Sequence, residues 1–183
     1  NPDAGEGDWQ TRRAAAYRAY MEWMPVREAV GSGFRLYRRF QIGALVDLLM
    51  LDTRGLRDRQ AAQADVAALN DPARSLLGPA QEAWLYDALR SSRDAGTPWR
   101  LLGQQIMFSR LVPPGRPVLL PDAWDGYQSA RDRIFDFLEA ERVRDVAILS
   151  GDVHSSWAFD VPRNPWDGYS DATGGGSLAV ELL

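Results

Sequence analysis

The sequence predicts an α/β fold, because strand-like apolar runs alternate with helical patterns along the chain. Residues 45–51 form a nearly continuous apolar run of strand length, which fits a strand with helices on both faces. Residues 99–108 and 145–149 have the composition of further buried strands, and residues 177–183 alternate like a strand. Strands separated by helices are typical of layered α/β domains rather than all-β folds.

Helices are predicted at residues 11–24, at residues 79–89 and from residue 128 onward. Thr11 is the expected N-cap of the first helix, and Pro25 closes it. Its packing candidates are Ala15, Tyr17, Ala19, Tyr20 and Trp23. The last helix is expected to place Ile134, Phe135, Phe137 and Leu138 on its inner side.

Composition supports a globular domain and excludes several classes of partner. The 183 residues are 45% hydrophobic and 10% aromatic, which is enough to build a core. Twenty-one basic and 25 acidic residues give a net charge of −4 without charged blocks, so nucleic acid and anionic membranes are not indicated as partners. There is no cysteine and no apolar run of the ~18 residues that span a bilayer. The oligomeric state stays open.

The strongest chemical signal is the segment Gly151-Asp152-Val153-His154, which directly follows the apolar run 145–149. It contains the only histidine of the chain. Ligands of α/β folds gather beyond the carboxyl ends of strands. Asp152 and His154 are two residues apart, so in extended backbone both side chains point to one face and can share a metal ion. The alternative is a histidine that only forms hydrogen bonds within its loop.

Residues 149–157, Leu-Ser-Gly-Asp-Val-His-Ser-Ser-Trp, resemble the final metal-binding motif of PhoD-like phosphatases. This motif is a variant of the calcineurin-like phosphoesterase motif in which aspartate replaces the usual first histidine. Further segments agree with the family in order, so the resemblance covers almost the whole chain; they are residues 19–27, 51–54 with 57–58, 102–108, and 124–127.

The resemblance implies a four-layer α/β/β/α metallophosphoesterase sandwich. It also implies hydrolysis of phosphate mono- or diesters by a metal-activated water, with iron and calcium as the ions. Asp152 and His154 then serve as metal ligands and catalytic residues. The resemblance further implies export through the bacterial Tat route, and hence a secreted or periplasmic protein.

The family's early motifs are absent from this sequence. They comprise an aspartate motif, an iron-binding cysteine and a Trp-Asp-Asp-His-Glu-like motif. We therefore expect residues 1–183 to be the C-terminal portion of the catalytic domain and to have little or no turnover alone. The alternative is a non-catalytic folded module or an inactive fragment that binds no metal. A serine hydrolase using Ser155 or Ser156 is disfavoured, because no Gly-x-Ser-x-Gly motif occurs.

Four residues are candidates for substrate binding, and each has a structural alternative. Arg54 follows the first apolar strand and could clamp a phosphate, or Asp52 and Arg54 could pair with each other or with neighbours such as Arg57 and Asp58 to fix the loop. Gln105 is expected to line the site, where an amide more often orients other groups. Trp124 and Tyr127 could form a rim over the substrate or anchor a packed loop. We expect Arg54 and Gln105 to lie at the same sheet edge as His154.

Overall fold

The computed structural model describes residues 5, 7–27, 35–116, 118–151 and 153–183. The chain divides into two compact units, residues 1–36 and residues 37–183. Within the described residues, no helix has both the length and the apolar composition to cross a membrane.

The first unit contains helix α1, Trp9–Trp23. Its N-cap is Asp8, whose carboxylate accepts a hydrogen bond of 2.7 Å from the backbone N–H of Thr11. The prediction of Thr11 as the cap is therefore wrong, because Thr11 is the third helical residue, whose N–H a capping side chain satisfies. None of the predicted packing candidates of α1 is buried.

Six strands form one sheet among the described residues of the second unit, in the spatial order β1-β2-β3-β4-β6-β5. Their bounds are β1 Arg38–Ile42, β2 Val46–Met50, β3 Trp99–Gly103, β4 Val146–Leu149, β5 Ala158–Pro162 and β6 Ser177–Leu182. Strands β2, β3, β4 and β6 are parallel, whereas the two edge strands β1 and β5 are antiparallel to their neighbours. The four predicted strands correspond to β2, β3, β4 and β6.

Three helices of the second unit are α2 Val66–Leu69, α3 Pro79–Asp94 and α4 Gln128–Ala140, and a 3-10 helix, Trp124–Tyr127, directly precedes α4. Helix α3 starts with Pro79 after Gly78, whose φ of +72° favours glycine. The predicted inner residues of α4 are all buried. Helix α3 extends five residues beyond the predicted end at residue 89.

The core of the second unit lies between one face of the sheet and helices α3 and α4. Leu49, Leu102 and Ile148 form a buried row across adjacent strands. Leu85 of α3 and Ile134 of α4 belong to the same apolar cluster. The other face is incompletely covered, and Val46, Leu48 and Met50 of β2 are only half-buried.

The prediction of helices on both faces of β2 is therefore wrong within this unit, where the helices pack on one face only. The apolar composition of the second face exceeds what this unit covers, since Leu149, Val180 and Leu182 are 38–50% exposed. The predicted α/β class is confirmed, and the unit provides one sheet layer and one helix layer of the expected sandwich.

Candidate active site

The loops after β2, β3 and β4 meet at one edge of the sheet, because these neighbouring strands are parallel. Backbone hydrogen bonds continue past the strand ends. Leu51 N–H donates to Gly103 O at 2.8 Å, and Gln104 N–H donates to Leu149 O at 2.9 Å. Gly151 N–H then donates to Gln104 O at 3.0 Å. The expected convergence of these three strand ends is confirmed.

Asp52 shapes the turn that follows β2. Its Oδ1 accepts hydrogen bonds from the backbone N–H groups of Arg54, at 2.9 Å, and Gly55, at 2.7 Å. The buried amide of Gln81 in α3 holds the backbone of Asp52 from both sides, accepting from its N–H and donating to its carbonyl oxygen. These contacts fix the turn, in which Thr53 is buried and Arg54 is exposed.

Arg54 lies at the exposed rim of this edge, and its side chain is 47% accessible. Its guanidinium contacts Asp122 at 2.5 Å, and Arg57 contacts the other oxygen of Asp122 at 2.7 Å. Burial alone raises the pKa of Asp122, but the hydrogen bonds and charges of Arg54 and Arg57 outweigh it and hold that pKa below its usual value. The cluster has two cations for one anion, so it can attract a further anion.

Gln105 connects the loop after β3 to the loop after β2. Its Oε1 accepts from the backbone N–H of Thr53 at 2.8 Å and from the Thr53 hydroxyl at 2.6 Å. Its Nε2 donates to the carbonyl oxygen of Leu51 at 2.7 Å. The amide thus makes three hydrogen bonds to backbone and hydroxyl groups, and it orients the loop that carries Arg54.

A second set of contacts connects the loops after β3 and β4 and was not predicted from the sequence. Trp124 Nε1 donates to Gln104 Oε1 at 2.6 Å, and Gln104 Nε2 donates to Ser150 Oγ at 3.0 Å. Ser150 Oγ in turn donates to the buried carboxylate of Glu181. One signal for Glu181 was present in the sequence, namely an acidic residue inside the alternating apolar segment 177–183.

Trp124 and Tyr127 are fully buried. The Trp124 ring packs on Phe108 with ring centroids 4.9 Å apart, and the Tyr127 hydroxyl donates to the carbonyl oxygen of Asp58 at 2.7 Å. Burial raises the pKa of Tyr127 above its ordinary value. This geometry favours the loop-anchor alternative for both rings, since a substrate cannot reach a fully buried side chain.

His154 lies in the exposed loop after β4 and has a φ of +66°. This left-handed conformation is uncommon for a residue other than glycine, and such strain clusters at functional sites. The hydroxyl of Ser155 accepts a hydrogen bond of 2.6 Å from Trp157 Nε1. Asp152 lies outside the described residues, so the pairing of Asp152 with His154 stays a prediction. Within the described residues, no three His, Cys, Asp or Glu side chains form a group able to hold a metal.

Comparisons with known proteins give a consistent result. The family model described as PhoD-like phosphatase matches residues 1–183. Alkaline phosphatase D of Bacillus subtilis (strain 168) is 41% identical over 159 residues, which are 82% of this chain and 27% of that protein. A solved structure of PhoD matches with a TM-score of 0.80 and 36% identity, over 93% of this chain and 33% of that chain. The chain thus spans a third or less of the length of these relatives.

Proposed function

Because the chain belongs to the PhoD-like phosphatase family, we propose that the protein carrying it hydrolyses phosphate mono- or diesters at the carboxyl ends of β2, β3 and β4. One observation carries the proposal: a cationic rim at Arg54 and an exposed imidazole at His154 follow β2 and β4, the two parallel strands that flank β3 in the same sheet. An anion-binding group and a metal-binding group at one edge are what phosphoester hydrolysis needs.

We propose Asp152 and His154 as metal ligands, with iron and calcium as the ions that the family resemblance implies. An exposed imidazole fits iron, and a carboxylate fits either ion. A metal site with about four protein donors needs more than these two residues, so further donors must come from other parts of the protein. Metal ions in this position supply positive charge to the phosphoryl oxygens and activate water for attack.

Arg54 is the residue we propose for binding the phosphate. Its guanidinium is half-exposed and shares Asp122 with Arg57, so one of the two cations can turn to a phosphate while the other keeps the carboxylate. Gln105 lines the same edge and supports this contact by holding Thr53, one residue before Arg54. A planar guanidinium matches two phosphate oxygens at once.

The test uses His154→Ala and His154→Gly in the full natural protein that contains this chain. Both variants should lower hydrolysis of p-nitrophenyl phosphate and bis(p-nitrophenyl) phosphate by about 100-fold or more, with loss of bound iron measured by elemental analysis. When the two variants are compared without metal, His154→Gly should unfold no more easily than His154→Ala, because glycine adopts the left-handed φ without strain. Full activity and full metal content in both variants would contradict the assignment of His154.

A second comparison separates the enzyme from a non-catalytic module. The 183-residue chain alone should hydrolyse neither ester appreciably, because Asp152 and His154 hold a metal weakly without further ligands. The full natural protein should hydrolyse at least one of them. If the wild-type full protein retains no metal and no hydrolysis, the non-catalytic alternative is correct.

Export to the periplasm or the exterior is proposed on the family resemblance. It is tested by fractionating cells of the native organism and detecting this protein with an antibody against the chain. Detection in the cytoplasmic fraction alone would contradict it.

A further inference from the structure

We infer that Glu181 and Ser150 are positioning residues, which hold the loop bearing Asp152 and His154 in place at the candidate active site. The inference rests on the proposed function, since it assigns these two residues a role toward that same site. Neither residue is predicted to touch a metal or a substrate. Their effect is exerted through the backbone that leads into the metal-binding motif.

Glu181 occupies a position where an apolar side chain is expected. It stands in a row that crosses the sheet from β2 to β5, and the other members of this row are Leu49, Leu102, Ile148 and Phe159. Glu181 is fully buried, and none of the ion pairs among the described residues involves it. Burying a carboxylate without an opposite charge is costly, and an apolar residue here would avoid that cost.

Three donors surround the Glu181 carboxylate, and all come from loops at the candidate active site. The backbone N–H groups of Phe108 and Ser109 donate at 2.7 Å each, one to each oxygen. The Ser150 hydroxyl donates to Oε1 at 2.5 Å. Glu181 thus connects the loop after β3 to the loop after β4 from a rigid strand beneath them.

Ser150 transmits this anchoring to the metal-binding motif, because it lies two residues before Asp152. Its backbone N–H donates to Leu182 O at 2.9 Å, and its hydroxyl also accepts from Gln104 Nε2 at 3.0 Å. The next residue, Gly151, packs so closely that an added Cβ would lie 2.8 Å from the carbonyl oxygen of Gln105. Residues 149–151, the stem of the loop, are therefore held by hydrogen bonds to β6 and to the loop after β3.

Residues 154–157, beyond this stem, are exposed, and the loop rejoins the sheet where Trp157 exchanges two backbone hydrogen bonds with Leu183. The backbone at His154 is therefore positioned by the stem at residues 149–151 before it and by the pairing of Trp157 with Leu183 after it. Ligand positions must hold within about 0.5 Å for efficient binding, and residues that support ligands typically change metal affinity 10–100-fold when removed. A hydroxyl that fixes the stem therefore affects metal binding more than it affects overall stability.

The experiment compares Ser150→Ala with a matched control, Ser177→Ala, in the full natural protein. Ser177 is also half-buried, and its hydroxyl also makes two hydrogen bonds, accepting from Val161 N–H and donating to Ala179 O. It lies at the opposite end of β6 from Glu181. Both variants should lower the urea denaturation midpoint, and Ser150→Ala should lower it somewhat more, because the Ser150 hydroxyl donates to a buried carboxylate and the Ser177 hydroxyl to a neutral carbonyl oxygen.

The two variants should differ in metal binding. Titration of metal-free protein with ferrous sulfate or calcium chloride should show an affinity about 10-fold or more lower for Ser150→Ala, and within 2-fold of wild type for Ser177→Ala. Hydrogen exchange of the Gly151 amide should accelerate only in Ser150→Ala, because its bond to Gln104 O depends on the stem. Ser150→Thr, which keeps the hydroxyl, should restore affinity.

Equal metal affinity in Ser150→Ala and Ser177→Ala, with an active wild type, overturns the inference and leaves the proposed function standing. A wild-type protein that neither binds metal nor hydrolyses phosphoesters overturns both. Where Ser150→Ala does not fold, Ser150→Cys replaces it, because a thiol fills the same space with weaker hydrogen bonds. The metal affinity of Ser150→Cys should lie between that of wild type and a complete loss. A wild-type metal affinity in Ser150→Cys also counts against the inference.

Discussion

The two ends of the parallel strands are held together by different chemistry. At the amino ends, buried charge meets opposite charge: Asp47 is fully buried and forms a two-pronged ion pair with Arg39, with both distances 2.8 Å. At the carboxyl ends, Gln104 and Gln105 make their contacts through amides, hydroxyls and backbone groups, and the buried carboxylate of Glu181 is held by the Ser150 hydroxyl and backbone N–H groups rather than by an opposite charge.

The difference has a physical consequence for binding. An ion pair fixes geometry but also adds fixed charges, which compete with an incoming metal ion or phosphate. Neutral amides and hydroxyls fix geometry without adding net charge. At the carboxyl ends the ion cluster of Arg54, Arg57 and Asp122 lies at the exposed rim, where solvent weakens it and a ligand can displace part of it. The amino ends are therefore built for stability and the carboxyl ends for access.

The largest expected effect on stability comes from Asp47→Ala at the amino ends. The change removes the carboxylate that accepts both hydrogen bonds of the Arg39 guanidinium and leaves that guanidinium without its opposite charge. We expect the free energy of unfolding to fall by about 3 kcal/mol. The proposed phosphoester hydrolysis by the full natural protein should stay within 2-fold of wild type, since Asp47 lies at the far end of the strands. Urea denaturation and specific activity of the folded fraction measure the two quantities.

Arg18→Ala is the control for this prediction, because Arg18 forms an exposed pair with Glu22 in α1. Removing that pair should cost about 0.5 kcal/mol or less. The contrast between the two ends fails if Asp47→Ala is no more destabilising than Arg18→Ala. It fails equally if Asp47→Ala removes activity while the protein remains folded.

An intermediate effect on stability is expected from Gly151→Ala at the carboxyl ends. The new Cβ would lie 2.8 Å from the carbonyl oxygen of Gln105, so the two loop stems must separate. We expect a loss of about 1–3 kcal/mol in the free energy of unfolding, together with a fall in activity of at least about 10-fold. Activity and unfolding are measured as for Asp47→Ala.

Gly175→Ala is the matched glycine control, because the nearest atom to its added Cβ is the movable side-chain oxygen of Thr173 at 3.1 Å. It should leave activity unchanged. Activity at the wild-type level in Gly151→Ala would show that the spacing of the two stems does not matter for the site. The two ends of the strands are distinguished if activity is kept in Asp47→Ala and falls in Gly151→Ala.

The sequence predicted the parallel core of this fold well, because β2, β3, β4 and β6 are marked by apolar or alternating runs. The edge strands β1 and β5 were not predicted. Strand β1 contains two arginines and a glutamine, and β5 contains an aspartate and a proline, so neither has a buried-strand pattern. Edge strands owe their pairing to a neighbouring strand, which local composition does not encode.

The candidate site could be located from the sequence but its supporting contacts could not. Residues such as Arg54 and His154 follow apolar strands, and parallel strands bring such residues to one edge. The contact from Ser150 to Glu181 joins residues 31 positions apart, and no local pattern relates them. For Trp124 the sequence left two interpretations open, a rim over the substrate and a packed loop anchor. The ring is fully buried in the core, which favours the loop anchor.

The smallest expected effect is the pH dependence of the same buried carboxylate. Burial alone raises the pKa of Asp47. The hydrogen bonds and positive charge of Arg39 outweigh this effect and hold the pKa below its usual value. A lowered folded-state pKa gives stability that is fully present above the unfolded pKa of about 3.9 and is lost as pH falls through the folded pKa.

The difference in free energy of unfolding between wild type and Asp47→Asn should therefore be constant from about pH 8 to pH 5 and shrink below about pH 4. Asp122→Asn should show the same direction with a smaller amplitude, because the pKa of Asp122 is also lowered but its side chain is 46% exposed. Urea titrations across this range provide the measurement. An amplitude for Asp122 equal to that of Asp47 would mean that the rim cluster is as tightly held as the buried pair, and that Arg54 is not available for a phosphate.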